Sequence, residues 1–218
     1  MSTVELKGGQ VNVTPDGLFI VFEGGEGAGK STQVRLLSDS LVAEGREVVV
    51  TREPGGTPTA EAIRALVLDP ANFGLDPRAE ALLFAAARAE HAAALIRPAL
   101  ERGAIVVCDR YIDSSVAYQG LGRDLGVEKI RDLSAWATED LLPDLTIVLD
   151  IDPVVGLARA GQVSDAPDRM ESEALAFHRM VRQAFLSAAE ASADRYLVID
   201  ALGDPQQIHH QISGRIVE

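Results

Sequence analysis

One glycine-rich segment constrains this 218-residue chain more than any other feature. An apolar run, Leu18–Glu23, leads directly into Gly-Gly-Glu-Gly-Ala-Gly-Lys-Ser, which matches the pattern G-x-x-x-x-G-K-[ST]. Glycines let the backbone curl so that its N–H groups point inward at phosphate oxygens, and the helix that follows adds its positive N-terminal end. Lys30 is placed to reach the β- and γ-phosphates of a nucleotide, and the Ser31 hydroxyl to ligate Mg²⁺. The residues predicted to contact nucleotide phosphates are Gly24, Gly25, Gly27, Ala28, Gly29, Lys30, Ser31 and Thr32.

Short apolar runs alternate with helical periodicities along the rest of the chain. The predicted strands are Leu18–Glu23, Glu47–Thr51, Ala104–Asp109, Leu145–Asp150 and Tyr196–Asp200. The predicted helices are Lys30–Glu44, Thr59–Leu68, Arg78–Arg102, Val127–Leu142 and Pro205–Val217, with two more helical stretches flanking residues 161–168. Because apolar strands that alternate with helices form parallel sheets covered on both faces, we predict a three-layer α/β/α fold with a five-stranded parallel sheet.

No linker divides the chain, so residues 18–218 are predicted to form a single domain. Residues 1–17, which contain several glycines and a proline, are predicted to be a flexible N-terminal extension. Residues 156–172 are predicted to be a short lid, because the centre of this segment has few apolar residues.

Composition excludes several classes of protein. The formal net charge is −13, with 33 acidic against 20 basic residues, which disfavours binding to a nucleic-acid polymer. A single cysteine, Cys108, cannot form an intramolecular disulfide. The sequence shows no apolar run long enough to span a membrane and no signal peptide, so we expect a cytoplasmic protein.

The phosphate loop belongs to a small kinase rather than to another class of nucleotide-binding protein. The chain has no N-K-x-D segment for guanine recognition, and it is short for a transport or motor ATPase. A kinase needs an acceptor site in line with the γ-phosphate. Ligands bind beyond the carboxyl ends of parallel strands, so the segments Thr51–Thr57 and Asp109–Gln119 are predicted to lie there. Asp109 is predicted to contact Mg²⁺ together with Ser31, and Arg110 to bind an acceptor phosphate.

Five segments together resemble those of bacterial thymidylate kinases: EGGEGAGKST, TREPGGT, LLFAAAR, DRYIDSSVAYQG and DR-x-E. The likeness runs from about Leu18 to the C-terminal helix and implies a P-loop NTPase fold. It implies transfer of the γ-phosphate of ATP to dTMP, which gives dTDP for dTTP synthesis. It also implies Mg²⁺ as cofactor and a homodimer.

The resemblance also implies roles for individual residues. Glu26 lies near the acceptor sugar and the metal, Phe84 stacks on thymine, and Arg88 donates to a thymine carbonyl. Arg110 grips the dTMP phosphate, and Tyr118 crowds the 2′ position of the sugar. The other residues implied in dTMP binding are Arg52, Glu53, Pro54, Arg64, Ser115 and Gln119.

This sequence departs from the family that it resembles in the source of positive charge for the transferring phosphoryl group. Some family members carry an arginine within the phosphate loop, and others carry several in the lid. Here the loop has none, and the predicted lid has only Arg159 and Arg169. Arg159 is the predicted transition-state arginine, with Arg169 as the alternative, so the predicted catalytic set is Lys30, Glu26, Arg110 and Arg159.

Two alternatives stay open from the sequence. One is a small kinase of the same fold that acts on a deoxynucleoside or on dUMP, CMP or AMP. The other is a nucleotide-dependent binding or regulatory protein without efficient transfer, which the poorly charged lid favours.

Overall fold

A parallel sheet of five strands forms the centre of the fold in a computed structural model, which describes residues 10–12, 17–161, 170 and 173–217. The strands are β1 (Val11–Asn12), β2 (Leu18–Glu23), β3 (Val48–Arg52), β4 (Ile105–Asp109), β5 (Leu145–Asp150), β6 (Tyr196–Asp200) and β7 (Ile216–Val217). The sheet order is β3-β4-β2-β5-β6, with every neighbouring pair parallel. The five predicted sheet strands are all present, each within one residue of its expected bounds.

Nine α-helices are described, several of which begin at a polar cap followed by proline. They are α1 (Lys30–Ala43), α2 (Pro58–Leu68), α3 (Pro77–His91), α4 (Arg97–Glu101), α5 (Ile112–Ser115), α6 (Val127–Thr138), α7 (Pro153–Ala160), α8 (Leu175–Ala191) and α9 (Pro205–Ser213). The side chains of Thr57, Asp76, Asp152 and Asp204 accept backbone N–H groups at the starts of α2, α3, α7 and α9. Proline then occupies the first helical position, where a missing N–H costs nothing.

Three predicted helices differ from the structure in their details. The long stretch predicted as 78–102 is helical as far as Glu101, but a π-helical turn, Ala92–Ile96, precedes Pro98, whose ring nitrogen cannot donate a hydrogen bond. The helix predicted to reach Leu142 ends at Thr138, because Glu139 and Asp140 adopt positive φ angles of 50° and 59°.

The last predicted helix was wrong at its C-terminal end. It stops at Ser213, and Ile216–Val217 form β7, which pairs in parallel with β1. The two residues of β1 belong to the predicted flexible extension, most of which lies outside the described residues.

Apolar residues of the sheet pack against helices on both faces. Leu18, Ile20 and Phe22 join one buried cluster with Leu37 of α1 and Ile212 of α9. The alternate residues of β2 face a second cluster on the opposite side, which includes Ile96 and Cys108. The predicted three-layer arrangement is therefore confirmed, and Cys108 is a core residue as expected.

β2 lies between β4 and β5, so the chain crosses from one half of the sheet to the other beside it. In open parallel sheets, ligands bind at the carboxyl ends of strands near such a switch point. The carboxyl ends of β2, β3 and β4 are Glu23, Arg52 and Asp109, and they meet at one edge of the fold.

Candidate active site

A cavity of about 510 Å³ opens at this edge of the sheet. It is lined by the predicted site residues Glu26, Gly27, Ala28, Gly29, Lys30, Ser31, Thr32, Arg52, Glu53, Pro54, Arg64, Phe84, Arg88, Asp109, Arg110, Ser115, Tyr118, Gln119 and Arg159, and also by Leu68, Tyr111, Ser114, Ala160 and Met170. Gly24 and Gly25 are the two predicted residues that do not line it; instead, their carbonyl oxygens accept from Lys30 Nζ at 3.1 and 3.0 Å.

The phosphate loop ends at a helix N-terminus that is open to an anion. Gly29 takes a left-handed conformation (φ 86°) at the start of α1, which has no side-chain cap and no acidic residue in its first turn. Ser31 and Thr32 are exposed there, whereas Lys30 is buried. Burial and the nearby Arg110 guanidinium lower the pKa of the Lys30 ammonium.

The loop is held against the start of α7 by a close approach of two glycines. A Cβ atom on Gly156 would overlap the carbonyl oxygen of Glu26, and one on Gly27 (φ 64°) would overlap the carbonyl oxygen of Gly156. Only glycine at both positions therefore allows this packing.

Arg110, at the end of β4, reaches across to the phosphate loop. Its Nη1 donates to Gly24 O at 3.1 Å, and its Nη2 donates to Glu26 Oε1 at 2.6 Å. Tyr118 also donates to Glu26 Oε1 at 3.0 Å, and the Arg110 guanidinium lies over its ring. Burial raises the pKa of Glu26, but Arg110 and then Lys30 outweigh it and bring this pKa to about 2.

Arg88, which also lines the cavity, is fully buried in a polar network. Its Nε donates to Glu53 Oε2 at 2.7 Å, and its Nη2 donates to Tyr111 O and to Ser115 Oγ. The other Glu53 oxygen lies 3.1 Å from His91 Nδ1. These contacts fix the guanidinium plane without closing the cavity, because Arg88 still lines it.

Four more of the residues predicted to bind the acceptor line the cavity as well. Phe84 is half-buried in α3, one turn before Arg88. Arg64 donates to Pro54 O at 2.9 Å, and the exposed Arg52 pairs with Glu61. Gln119 donates to Glu80 at 2.7 Å.

Of the two arginines in the predicted lid, the structure describes Arg159. It lies in α7, lines the cavity, and donates to Ala201 O at 3.1 Å. Arg169 and most of the predicted lid, residues 162–169 and 171–172, lie outside the described residues.

The hydroxyl and the carboxylate predicted to hold a divalent ion both belong to the cavity: Ser31 and Asp109 line it. In the described part of the chain, no group of three His, Cys, Asp or Glu side chains could hold a metal. This donor set fits Mg²⁺, which usually keeps several waters and binds one or two protein groups together with substrate phosphates.

Sequence reasoning missed two buried groups beside the cavity. Glu23 accepts from Tyr111 N and Ser114 N, and burial followed by the Asp113 carboxylate raises its pKa to about 7, although Arg110 lowers it. A charged residue that ends a buried strand could have indicated Glu23, as it did Asp109. His91 could have been suspected from its position three residues after Arg88, on the same helical face.

Comparisons with known proteins agree with one another. A family model described as Thymidylate kinase matches residues 22–212. A thymidylate kinase of Clavibacter sepedonicus is 54% identical over 192 residues, which are 88% of this chain and 90% of that protein. One from Deinococcus radiodurans is 49% identical over 202 residues, 93% of this chain and 97% of the relative.

A solved structure is similar as well. The crystal structure of thymidylate kinase from Ehrlichia chaffeensis superposes with a TM-score of 0.73 at 35% identity, covering 90% of this chain and 96% of that one. Among the described residues, no helix is both long and apolar enough to cross a bilayer. The family match, the identities and the shared fold together show that this chain belongs to the thymidylate kinase family.

Proposed function

We propose that this chain phosphorylates dTMP to dTDP with ATP as the phosphoryl donor, in the cavity at the carboxyl ends of β2, β3 and β4. One observation carries the proposal: the guanidinium of Arg110 hydrogen-bonds the first carbonyl of the phosphate loop, Gly24 O, at 3.1 Å. Groups suited to the donor phosphates and to an acceptor phosphate are therefore adjacent. Such adjacency is what direct transfer between two nucleotides requires.

The ATP phosphates are proposed to bind the loop 24–32. Its backbone N–H groups and the N-terminus of α1 supply donors, and Lys30 supplies a charge next to the β- and γ-phosphates. Mg²⁺, when bound, would neutralise phosphate charge, and Ser31 and Asp109 would hold it.

The acceptor is proposed to lie between Phe84 and the hydrogen-bonded group formed by Arg110, Glu26 and Tyr118. Phe84 stacks on the thymine ring, and Arg88, held by its four contacts, donates to a ring carbonyl. Arg110 binds the phosphate of dTMP, while Tyr118, fixed by its bond to Glu26, crowds the 2′ position. The other acceptor contacts proposed are Arg52, Glu53, Pro54, Arg64, Ser115 and Gln119.

Transfer needs no covalent enzyme intermediate. A phosphate oxygen of dTMP attacks the γ-phosphorus in line, the bond to the β-γ bridging oxygen breaks, and ADP leaves. Lys30 and Arg159 are proposed to stabilise the charge on the transferring group, with Arg169 as the alternative to Arg159. Glu26 positions Arg110 and the sugar rather than accepting a proton, because the attacking phosphate oxygen is already ionised.

We also propose that residues 18–218 are one domain with a lid at 156–172, and that the protein is a cytoplasmic homodimer. An apolar stripe supports the dimer: it consists of Leu82, Ala86 and Ala89 on α3 and continues to Ala93 in the π-helical turn that follows. Leu82 is 58% exposed, and α6 beside it carries Trp136 at 80% exposure. Exposed apolar surface of this kind is typical of an interface between subunits.

A coupled assay of ADP release tests the proposed reaction. The acceptors are dTMP, dUMP, dCMP, CMP, AMP and thymidine, each with Mg²⁺ and ATP. Turnover that strongly favours dTMP is the expected result. Preference for another acceptor would contradict the roles of Phe84, Arg88 and Tyr118, and ATP binding without any turnover would favour a regulatory protein.

A further inference from the structure

Glu23 is a fully buried carboxylate to which the proposed reaction assigns no role. It is the last residue of β2 and directly precedes the phosphate loop. Its Oε1 accepts from Tyr111 N at 2.9 Å and Ser114 N at 3.1 Å, and its Oε2 accepts from Ser114 Oγ at 2.7 Å. A buried carboxylate destabilises the fold unless its oxygens accept hydrogen bonds, and Glu23 accepts three. These hydrogen bonds therefore form a specific structural contact.

These hydrogen bonds hold the turn that carries Arg110. Arg110 has a φ of 71°, a conformation uncommon for residues other than glycine, which persists only where the surroundings fix it. Its N–H donates to Phe22 O at 2.8 Å, and the next amide, that of Tyr111, donates to Glu23. The last two residues of β2 thus fix the backbone on both sides of the strained position.

Glu23 also sets the direction of a hydroxyl group that contacts Arg110. Ser114 has one O–H, which it donates to Glu23 Oε2, so its oxygen lone pairs are left to accept from Arg110 Nη1 at 3.2 Å. With Gly24 O and Glu26 Oε1 as its other partners, Arg110 uses three of its five N–H groups on described residues. The remaining donors are available to an acceptor phosphate.

We propose that Glu23 is a positioning residue that ties the acceptor-phosphate arginine to the phosphate loop, and so fixes the distance between donor and acceptor phosphates. This inference rests on the proposed role of Arg110 as the ligand of the dTMP phosphate. Glu23 acts through Ser114 and the 110–114 backbone and does not touch the substrate.

The test compares dTMP with thymidine, which lacks the phosphate. In Glu23→Gln the amide oxygen still serves the two backbone amides, but the new NH₂ group competes with Arg110 for the Ser114 oxygen. We expect calorimetry to show dTMP binding weakened at least tenfold, thymidine binding unchanged, and ATP binding within twofold of the wild-type value. Arg110→Ala should show the same dTMP-specific loss, and adding Glu23→Gln to it should weaken dTMP no further.

Asp150→Asn is the matched control. This carboxylate ends β5, the strand beside β2, and accepts from Arg182 Nε at 2.6 Å. It has no hydrogen bond to Arg110 or Ser114 among the described residues, so the dTMP affinity of the variant should stay that of the wild type. If Glu23→Gln does not fold, Ser114→Ala tests the same link and should show the same selective loss.

The outcomes separate two failures. If Arg110→Ala leaves dTMP binding unchanged, the proposed role of Arg110 is wrong. If Arg110→Ala weakens dTMP binding but Glu23→Gln or Ser114→Ala does not, or weakens thymidine equally, Glu23 has no positioning role.

Discussion

At the residue scale, the chemistry of this site depends on a few ionised side chains kept apart from solvent. Glu26 and Arg110 are each less than one-fifth exposed and pair at 2.6 Å. A buried pair of this kind is a weak source of net stability, but removing one partner leaves an uncompensated charge and is strongly destabilising. We therefore expect Glu26 to affect stability and pH dependence as well as catalysis.

The low pKa of Glu26 predicts a pH-dependent effect of Glu26→Gln. This pKa is about 2 in the folded protein and 4.5 for the isolated group, so the ionised carboxylate stabilises the fold above about pH 4.5. That contribution is lost as the pH falls towards 2. Urea titrations should show a stability difference between wild type and variant that shrinks by roughly half between pH 6 and pH 3. A difference independent of pH would contradict the ionised pair.

Phe84→Ala should weaken dTMP binding selectively. Stacking of a base on an aromatic ring contributes about 1–3 kcal/mol, which is roughly a 5- to 150-fold change in Kd. Phe73→Ala is the control, since Phe73 is 79% exposed and does not line the cavity. Equal dTMP affinities for the two variants would show that Phe84 does not stack on the thymine base.

Arg159→Ala should lower kcat by about 10³–10⁵, the range measured for arginines that stabilise the transferring phosphoryl group. The fold should be unaffected, because the bond to Ala201 O is a single partly buried contact. Single-turnover rates at saturating ATP and dTMP give the comparison. A fall of less than tenfold would shift the role to Arg169.

At the element scale, α7 links the phosphate loop to the segment proposed as a lid. It begins at Pro153 and lies against the loop through Gly27 and Gly156 before it reaches Arg159. The backbones of Gly27 and Gly156 are in direct contact, with no side chain between them that could change rotamer. A movement of α7 would therefore displace the phosphate loop as well.

Gly156→Ala is expected to disturb this contact. The added methyl group would overlap Glu26 O, so we expect about 1–3 kcal/mol of destabilisation and weaker ATP binding. Gly161→Ala, at the other end of the same helix, is the control because, among the described residues, its Cβ would meet only Leu157 O, at an ordinary 3.5 Å. Thermal unfolding and ATP titration measure both effects. Similar behaviour of the two variants would show that the loop does not depend on the glycine contact.

At the scale of the whole molecule, one face of the described fold keeps large apolar side chains in solvent. Leu82→Glu should convert the proposed dimer to a monomer, because like charges would meet across the α3 stripe. Leu202→Glu, which changes an equally exposed leucine beyond β6, should leave the dimer intact. Sedimentation velocity distinguishes the forms. A monomeric wild-type protein would refute the dimer, and a dimeric Leu82→Glu variant would place the interface elsewhere.

The sequence was sufficient for features that depend on local patterns. Apolar runs predicted all five sheet strands, and the segments around Lys30, Phe84 and Arg110 predicted side chains that line a single cavity. β7 was missed because its partner, β1, lies some 200 positions away, and a two-residue strand has no periodicity of its own. The π-helical turn Val116–Gly122 was missed because its wider spacing does not follow the 3.6-residue pattern.

Buried polar partners were also beyond a reading of the sequence. Glu53 was expected in the acceptor site and lines the cavity, but its hydrogen bonds to Arg88 and His91 depend on how β3 and α3 pack. The tertiary structure decides which carboxylate pairs with which cation. Such pairs therefore cannot be predicted from the sequence alone.

The order of strands in the sheet also determines when each strand can find its partner during translation. β2 is the first strand of the large sheet to leave the ribosome, yet it pairs only with β4 and β5. Ile105, the first residue of β4, lies 82 positions after Glu23, which at translation rates of about 5–20 residues per second is a wait of roughly 4–16 s. Throughout this interval β2, which is apolar except for Glu23 and is later buried on both faces, has no partner in the sheet. The nascent chain should accordingly engage chaperones early and release them only after β4 and β5 have emerged.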